Sequence, residues 1–259
     1  MNAEHILLLM VPATYVTMLA IETLFPARRF PKLRWWRLLG TIASTMVLAV
    51  GIVTPLLLPV ELLERHRLID ASTLGMPLGV LVGYLVVSFM SFLWHRSLHR
   101  FTILWRVHQL HHAPRRLDIP SAFVFHPLDI FMFTAVQVVA STFVIGLDPL
   151  AAAITGYVAT FYSLFQHWNV KTPRWLGWFI QRPEAHCRHH ELDVHARNYS
   201  DFPLWDILFG SYSNPETFEG RVGFAKPAPV AKMLRLVDVH AANDEPAAEK
   251  PSALDAATE

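Results

Sequence analysis

Fourteen of the 259 residues are histidine, and most of them fall in tight groups. His95 and His99 stand in HRSLH, four residues apart and therefore on one side of a helix. His108, His111 and His112 form HQLHH, and His186, His189 and His190 form HCRHH, with spacings of three and four that again share a helical face. Neutral imidazole binds iron, zinc, copper and nickel alike. A structural zinc site closes with four ligands and a catalytic one uses three plus water. Eight imidazoles exceed what one metal needs. They suit two metals, with room left for oxygen.

Other residues stand near these groups. His167, in QHW, follows an apolar stretch at the correct end and can complete the site. His126 precedes Pro127, where it either ends a loop or supports the site, and Asp129 lies two residues further on. His195 reads as a neighbour of the ligands or as a surface residue. His5, His66 and His240 read as surface residues. Asn198 is placed to hydrogen-bond a ligand imidazole and fix its tautomer. Asp206 has the same option, or pairs with Arg188 or Arg197, or caps a short helix through Ile207, Leu208 and Phe209.

Such groups must be held by something, and the rest of the chain predicts a membrane bundle. The composition is 53% hydrophobic and 17% charged, against about 25% charged in a usual soluble domain. Mean hydropathy is +0.32. Five apolar stretches stand out: Ile6–Phe25, Leu38–Val60, Leu74–Trp94, Ile130–Leu147 and Leu150–Gln166. A bilayer core of about 30 Å needs roughly 20 such residues in a helix. The last two are short and joined only by Asp148-Pro149, so they are a tight pair of spans or a hairpin. Five apolar runs are too many to bury in one soluble core of this size. Ile6–Phe25 lacks a basic leader and carries Glu22 near its end, so it reads as a retained span rather than a signal peptide. The expected fold is all-α: an integral membrane helical bundle of four to five apolar spans or hairpins under a cytoplasmic histidine-rich helical cap.

Loop charge sets the orientation. Residues 26–37 hold Arg28, Arg29, Lys32, Arg34 and Arg37 with no acid, and residues 95–118 hold five arginines against Asp118 alone. Both loops are expected in the cytoplasm. The mixed loop near Glu61–Ser72 is expected outside. All three histidine groups and the C-terminus then share the cytoplasmic face of a multi-pass protein. Residues 1–238 read as a single domain with its motif core at about 75–215, and 239–259, rich in Ala, Pro and charge, as a disordered tail. Trp94, Trp105, Trp168, Trp175, Trp178 and Trp205 lie near span ends, where tryptophan prefers to sit. The formal net charge is +1 with no basic stripe, which argues against a nucleic-acid partner. Cys187 is the single cysteine, so no intrachain disulfide forms.

The motifs HRSLH, HQLHHAP and HCRHH, followed by NYSDFPLWDILFGSY at Asn198–Tyr212, resemble the fatty acid hydroxylase and sterol desaturase superfamily. The resemblance covers roughly residues 75–215. It implies membrane-embedded enzymes with a di-iron centre (Fe2+/Fe3+), O2 as co-substrate and a hydrophobic lipid substrate drawn from the membrane. A separate electron donor is implied too, a b-type cytochrome or a ferredoxin with its reductase. Carried over, His95 and His99 are the first ligand pair, His108, His111 and His112 the second group, and His186, His189 and His190 the last. His167 resembles the family's intermediate histidine, with Asn169 displaced by one. His126-Pro127 resembles a His-Pro position often followed by Glu, where Asp129 stands here. The usual NYG reads NYS, and Ser200 in place of glycine predicts an altered tight turn.

Two other classes compete on the residues alone. A membrane zinc-dependent hydrolase needs a general base beside the metal, but no HExxH occurs and Glu191 adjoins its group at the wrong spacing. A non-enzymatic metal-binding membrane protein, such as a transporter, should carry ionisable groups at mid-span, whereas these histidines sit at span ends. Unactivated C–H bonds of a lipid chain call for a metal–oxygen oxidant. The expected activity is therefore oxygen-dependent hydroxylation or desaturation of a fatty acyl, sterol or related lipid. Which substrate, and which of the two reactions, stays open.

Overall fold

The computed structural model describes residues 3–192 and 194–239. His240 and the expected tail beyond it lie outside the described residues. Val239 is buried, and its N–H donates to Gln109 Oε1 at 3.0 Å.

The chain is helical throughout, and the described residues form no strand beyond one isolated bridge between Glu191 and Val222. The first two helices are α1 (Ala3–Leu24) and α2 (Trp36–Leu57), followed by the short α3 (Val60–Arg65). Next come α4 (Met76–Arg100) and α5 (Thr102–His112), then α6 (Pro127–Val139), which runs on into a π-turn at Ala140–Val144. The last long helix is α7 (Pro149–His167), and α8 (Pro183–His189), α9 (Pro203–Leu208) and α10 (Val230–Met233) are short. Each of the five apolar stretches is thus one helix. Three are long and apolar enough to cross a membrane: Trp36–Leu57, Met76–Arg100 and Pro127–Val144. On α2 the residues Leu38, Leu39, Ile42, Ile52, Val53, Leu56 and Leu57 all point outward. So large an exposed apolar face belongs in lipid, not water. This is a membrane protein.

Close approach between helices depends on small residues. A Cβ at Gly83 of α4 would stand 2.7 Å from Thr155 Oγ1 of α7, and one at Gly40 of α2 would stand 2.5 Å from Pro120 Cβ. The joint between α7 and its predecessor is set locally. Asp148 caps α7 by accepting from Leu150 N at 2.9 Å and Ala151 N at 3.2 Å, with Pro149 at the first helical position.

The bundle has two unlike ends. At one, backbone N–H groups of Leu68, Ile69 and Ala71 bond to the carbonyls of Phe143, Val144 and Ile145, closing the linker after α3 against the end of α6. At the other, buried Glu22 of α1 accepts from Ile119 N at 3.1 Å and Asn169 N at 3.0 Å. Trp36 Nε1 donates to Asp118 Oδ1 at 2.9 Å, and Arg28 pairs with Glu184 at 3.1 Å. That second end gathers every histidine motif into one cap. Exposed His66 belongs to the opposite end.

Candidate metal centre

Four helices bring histidines to the cap. The last turns of α4 supply His95 and His99. Phe101, in extended backbone, breaks the helix there, and α5 turns back carrying His108, His111 and His112. The C-terminus of α7 supplies His167, and α8 supplies His186 and His189, with His190 at its C-cap.

These nine residues form two sets, each with its ligand atoms within 4.8 Å of one another: His95, His99, His108, His112 and His189, and then His111, His167, His186 and His190. The sets cut across the sequence motifs. In a helix, successive residues project about 100° apart. In each HxxHH motif the first and third histidines therefore face one set and the second faces the other. His108 and His112 of α5 join His189 of α8, while His186 and His190 join His111. The remaining members are the α4 pair for the larger set and His167 for the smaller. The rings of His112 and His190 stack at 4.1 Å between the two sets.

The geometry suits cations. Within the larger set, Nε2 atoms approach at 3.1 Å (His95 and His108), 3.2 Å (His108 and His112) and 3.3 Å (His95 and His99). In the smaller set His186 Nε2 lies 3.0 Å from His167 Nε2 and 3.1 Å from His190 Nε2. Two nitrogens each about 2.1 Å from one metal are about 3.0 Å apart at a right angle and about 3.4 Å apart at a tetrahedral angle. The observed spacings fall in that range.

Hydrogen bonds behind the rings fix which nitrogen faces inward. His95 Nδ1 faces the Tyr199 carbonyl and His189 Nδ1 the Arg197 carbonyl, each at 2.7 Å. A carbonyl only accepts, so both Nδ1 atoms carry the proton and present bare Nε2. His108 Nδ1 meets Asp129 Oδ2 at 2.8 Å, a carboxylate–imidazole pair of the kind that raises ligand basicity. His167 Nδ1 lies 2.9 Å from Ser121 Oγ, whose own proton goes to Asp118 O at 2.6 Å, so His167 is the donor. Bare lone pairs meeting near 3 Å repel unless a cation lies between them. Burial also holds His108 down at about 3, and holds His111, His112, His186, His189 and His190 well below the usual histidine range, with neighbouring imidazoles adding to the shift in those five. Neutral imidazole is the ligating form.

The five supporting candidates fare differently. Asp129 sits behind His108. Asp206 acts at one remove: it accepts from Tyr199 N at 2.9 Å and Ser200 N at 2.8 Å, aiming the loop whose carbonyl takes His95. It lies inside α9 rather than capping it, and Arg188 pairs with Glu191 instead. Asn198 bonds no imidazole. Its amide donates to the carbonyls of Ala185 and Ser213 and accepts from Ser213 N, holding a loop in which His195, Arg197 and Asn198 have φ of 40°, 70° and 48°. Asparagine tolerates that left-handed conformation better than most residues. Ser200 is not among the left-handed residues, so its replacement of glycine leaves the turn intact. His126 caps α6, accepting from Leu128 N at 3.1 Å, and joins neither set. Buried His195 packs edge-on against His112 and tilted against Trp105 without joining either set.

Some partners had no signature in residue type: Ser121 at the end of a 3-10 turn, the carbonyls of Arg197 and Tyr199, and Gln181, whose Nε2 lies 3.3 Å from His186 Nδ1. Trp105 is not a span-end anchor: its ring lies 5.3 Å from both His99 and His112 and walls the larger set.

A cavity of about 330 Å3 connects the bundle to the cap. It begins between α1 and α2, near Val47, Gly51 and Ile52, and ends on His95, His108, His111 and His186. It therefore touches both sets. Asp201 faces it as well, bonded to Gln166 Nε2 at 2.7 Å, and burial away from bulk water raises its carboxyl to about 7.

Comparison with known proteins fits this arrangement. The family model described as "Fatty acid hydroxylase" matches residues 80–211, half of the chain. Ornithine lipid hydroxylase OlsE of Rhizobium tropici is 29% identical over 54% of this chain and 43% of its own length. Human lathosterol oxidase is 30% identical over 53% of this chain and 48% of its own. A very-long-chain aldehyde decarbonylase of rice, GL1-4, is 27% identical over 55% of this chain and 25% of its own. The chain thus spans less than half the length of these relatives. No solved structure matches it. With the matched segment running from α4 through α9 and enclosing every histidine of both sets, the chain belongs to the fatty acid hydroxylase family.

Proposed function

We propose that this protein is a lipid hydroxylase or desaturase that uses O2 at two irons held by the two histidine sets. The observation that carries this reading is the cavity, which joins a bilayer-facing gap between helices to both sets. Five imidazoles around one ion leave one of six positions open, and four leave two. A tetrahedral zinc would be over-supplied by the larger set. No carboxylate joins either set among the described residues, which leaves a zinc hydrolase without a base at the metal. Relatives named as a hydroxylase and an oxidase also favour oxidation.

When bound, the irons supply the oxidant for an unactivated C–H bond. The protein's residues do the rest. Nδ1–H groups of His95, His189 and His167 anchor their rings, apolar walls align a chain, and the cap keeps bulk water out. Hydroxylation turns one C–H, O2, two electrons and two protons into one C–OH and one water. Desaturation takes two C–H bonds on adjacent carbons with the same O2, electrons and protons, and yields one C=C and two waters. Both need two external electrons, hence a separate one-electron donor such as a b-type cytochrome or a ferredoxin. The basic loops favour a cytoplasmic cap.

Metal analysis of the purified full chain tests this, together with lipid profiles of cells carrying wild type or His111→Ala. About two irons per chain, and a lipid product lost only in the variant, are expected. Zinc in place of iron with unchanged lipids would defeat the reading.

A further inference from the structure

The cavity wall is uneven in a way that bears on what enters it. Most of it is apolar, as a lipid chain requires. No lysine or arginine lines it among the described residues. A phosphate, sulfate or carboxylate drawn inside would find no counter-charge, and the cost of burying an unpaired anion is prohibitive. Asp201, the one acid in the lining, would repel it further when ionised.

Polar side chains interrupt the apolar wall: Ser91 and Ser163, each one helical turn before His95 and His167, then Thr134 and Thr160, and, last along α6, Gln137. Gln137 lies in α6, eight residues beyond Asp129, which is about 12 Å along the helix at 1.5 Å per residue. Asp129 marks the level of the histidines through its bond to His108. The half-buried Gln137 side chain lines the cavity and makes no hydrogen bond among the described residues. The contrast with its neighbours is direct. Thr134 and Thr160, which also line the cavity, satisfy their hydroxyls on Ile130 O and Gly156 O in their own helices. A free amide within an apolar span is costly unless something completes it. The opening is close by. A Cβ at Gly51 would meet nothing within 4 Å, and Ile52 is exposed to the surroundings of the bundle.

We infer that Gln137 is a specificity-determining residue that hydrogen-bonds an uncharged polar group of the substrate, a hydroxyl in the simplest case, about 12 Å from the carbon presented to the histidines. The inference rests on the cavity being the substrate site of the proposed enzyme. It adds that the ligand is a neutral, hydroxyl-bearing lipid and that anionic head groups stay outside.

Equilibrium binding to the full chain in nanodiscs, with radiolabelled 1-hexadecanol, hexadecane and hexadecyl sulfate, tests it without reference to turnover. Hexadecanol is expected to bind several-fold, up to about tenfold, more tightly than hexadecane, the usual reward for pairing a half-buried amide, and hexadecyl sulfate more weakly than the alcohol. Gln137→Leu should bring the alcohol to within about twofold of the hydrocarbon, and Gln137→Asn should restore part of the gap. Hexadecane affinity no weaker than that of the wild type in both variants reports an intact fold. An alcohol preference that survives Gln137→Leu, or sulfate bound as tightly as alcohol, overturns the assignment. Oxidation of the bound probe is scored separately. A ratio that behaves as expected without any oxidation supports the Gln137 assignment and counts only against the catalytic reading.

Discussion

The two histidine sets are built by the same rule and supported differently. Each takes the first and third histidines of one HxxHH motif and the second of the other. The larger set adds a pair from α4, the smaller only His167. Behind the larger set stand two backbone carbonyls and the buried Asp129 carboxylate. Behind the smaller, the one oxygen partner among the described residues is the neutral Ser121 hydroxyl. Exposure differs as well. His95 and His99 are partly open, whereas all four members of the smaller set are buried. A five-nitrogen, anion-backed site should hold its ion firmly, and a four-nitrogen, neutral-backed site more loosely, with more open coordination for chemistry.

The comparison breaks most readily at the ligands. His190→Ala leaves three imidazoles in the smaller set, while His112→Ala leaves four in the larger. His190→Ala is expected to lose about one metal ion per chain and to cost activity more than the roughly 10–100-fold typical of losing a supporting partner. His112→Ala should keep more metal. Equal metal loss in the two would mean that the sets are not unequal. A smaller step is Asp129→Asn, which should weaken metal binding at the larger set by roughly 10–100-fold, against less than about tenfold for Ser121→Ala at the smaller. Chelator titration read by metal content ranks them, and the reverse order would contradict the argument from charge.

Asn198→Ala removes three hydrogen bonds from the loop that aims the Arg197 and Tyr199 carbonyls. It should cost about 2–3 kcal/mol of stability at roughly 1 kcal/mol each. Thermal unfolding should show the loss, with metal leaving the larger set first. Metal loss from the smaller set alone would refute that link.

Smallest is a pH effect with opposed signs. The buried histidines have folded values below their unfolded 6.5, so the stability they depend on is present above about pH 6.5 and is lost as pH falls, for His108 towards about 3. Asp201 is raised from 3.8 to about 7, so its contribution is fully present below about pH 4 and is lost as pH rises towards 7. Asp201→Asn should therefore melt higher than wild type at pH 7.5 and level with it near pH 4. A constant offset across that range would show that Asp201 is already ionised throughout.

Much of this was legible in the sequence. Eight of the nine histidines stand out by type and spacing, because a helix keeps intervals of three and four on one side, and His167 stands out by its place after an apolar stretch. The five helices follow from apolar run length. Less legible were the supporting residues. Asp129 and Asp206 stood out as candidates, but His126 and Asn198 stood out as well and turned out to cap a helix and brace a loop. Carbonyl acceptors leave no trace in residue type, and Ser121 is one serine among many.

The sequence by itself determined that the chain is a membrane helical bundle with its histidines at one end, since hydropathy and helical period are local properties. Only the tertiary structure decided how three motifs divide into two sets, which nitrogen each ring presents, and that Gln137 faces a cavity. Those depend on α5 and α8 crossing the same gap from opposite motifs, and on the loop at 195–199 folding back over α4. Such contacts join residues about a hundred positions apart, and no local pattern encodes them.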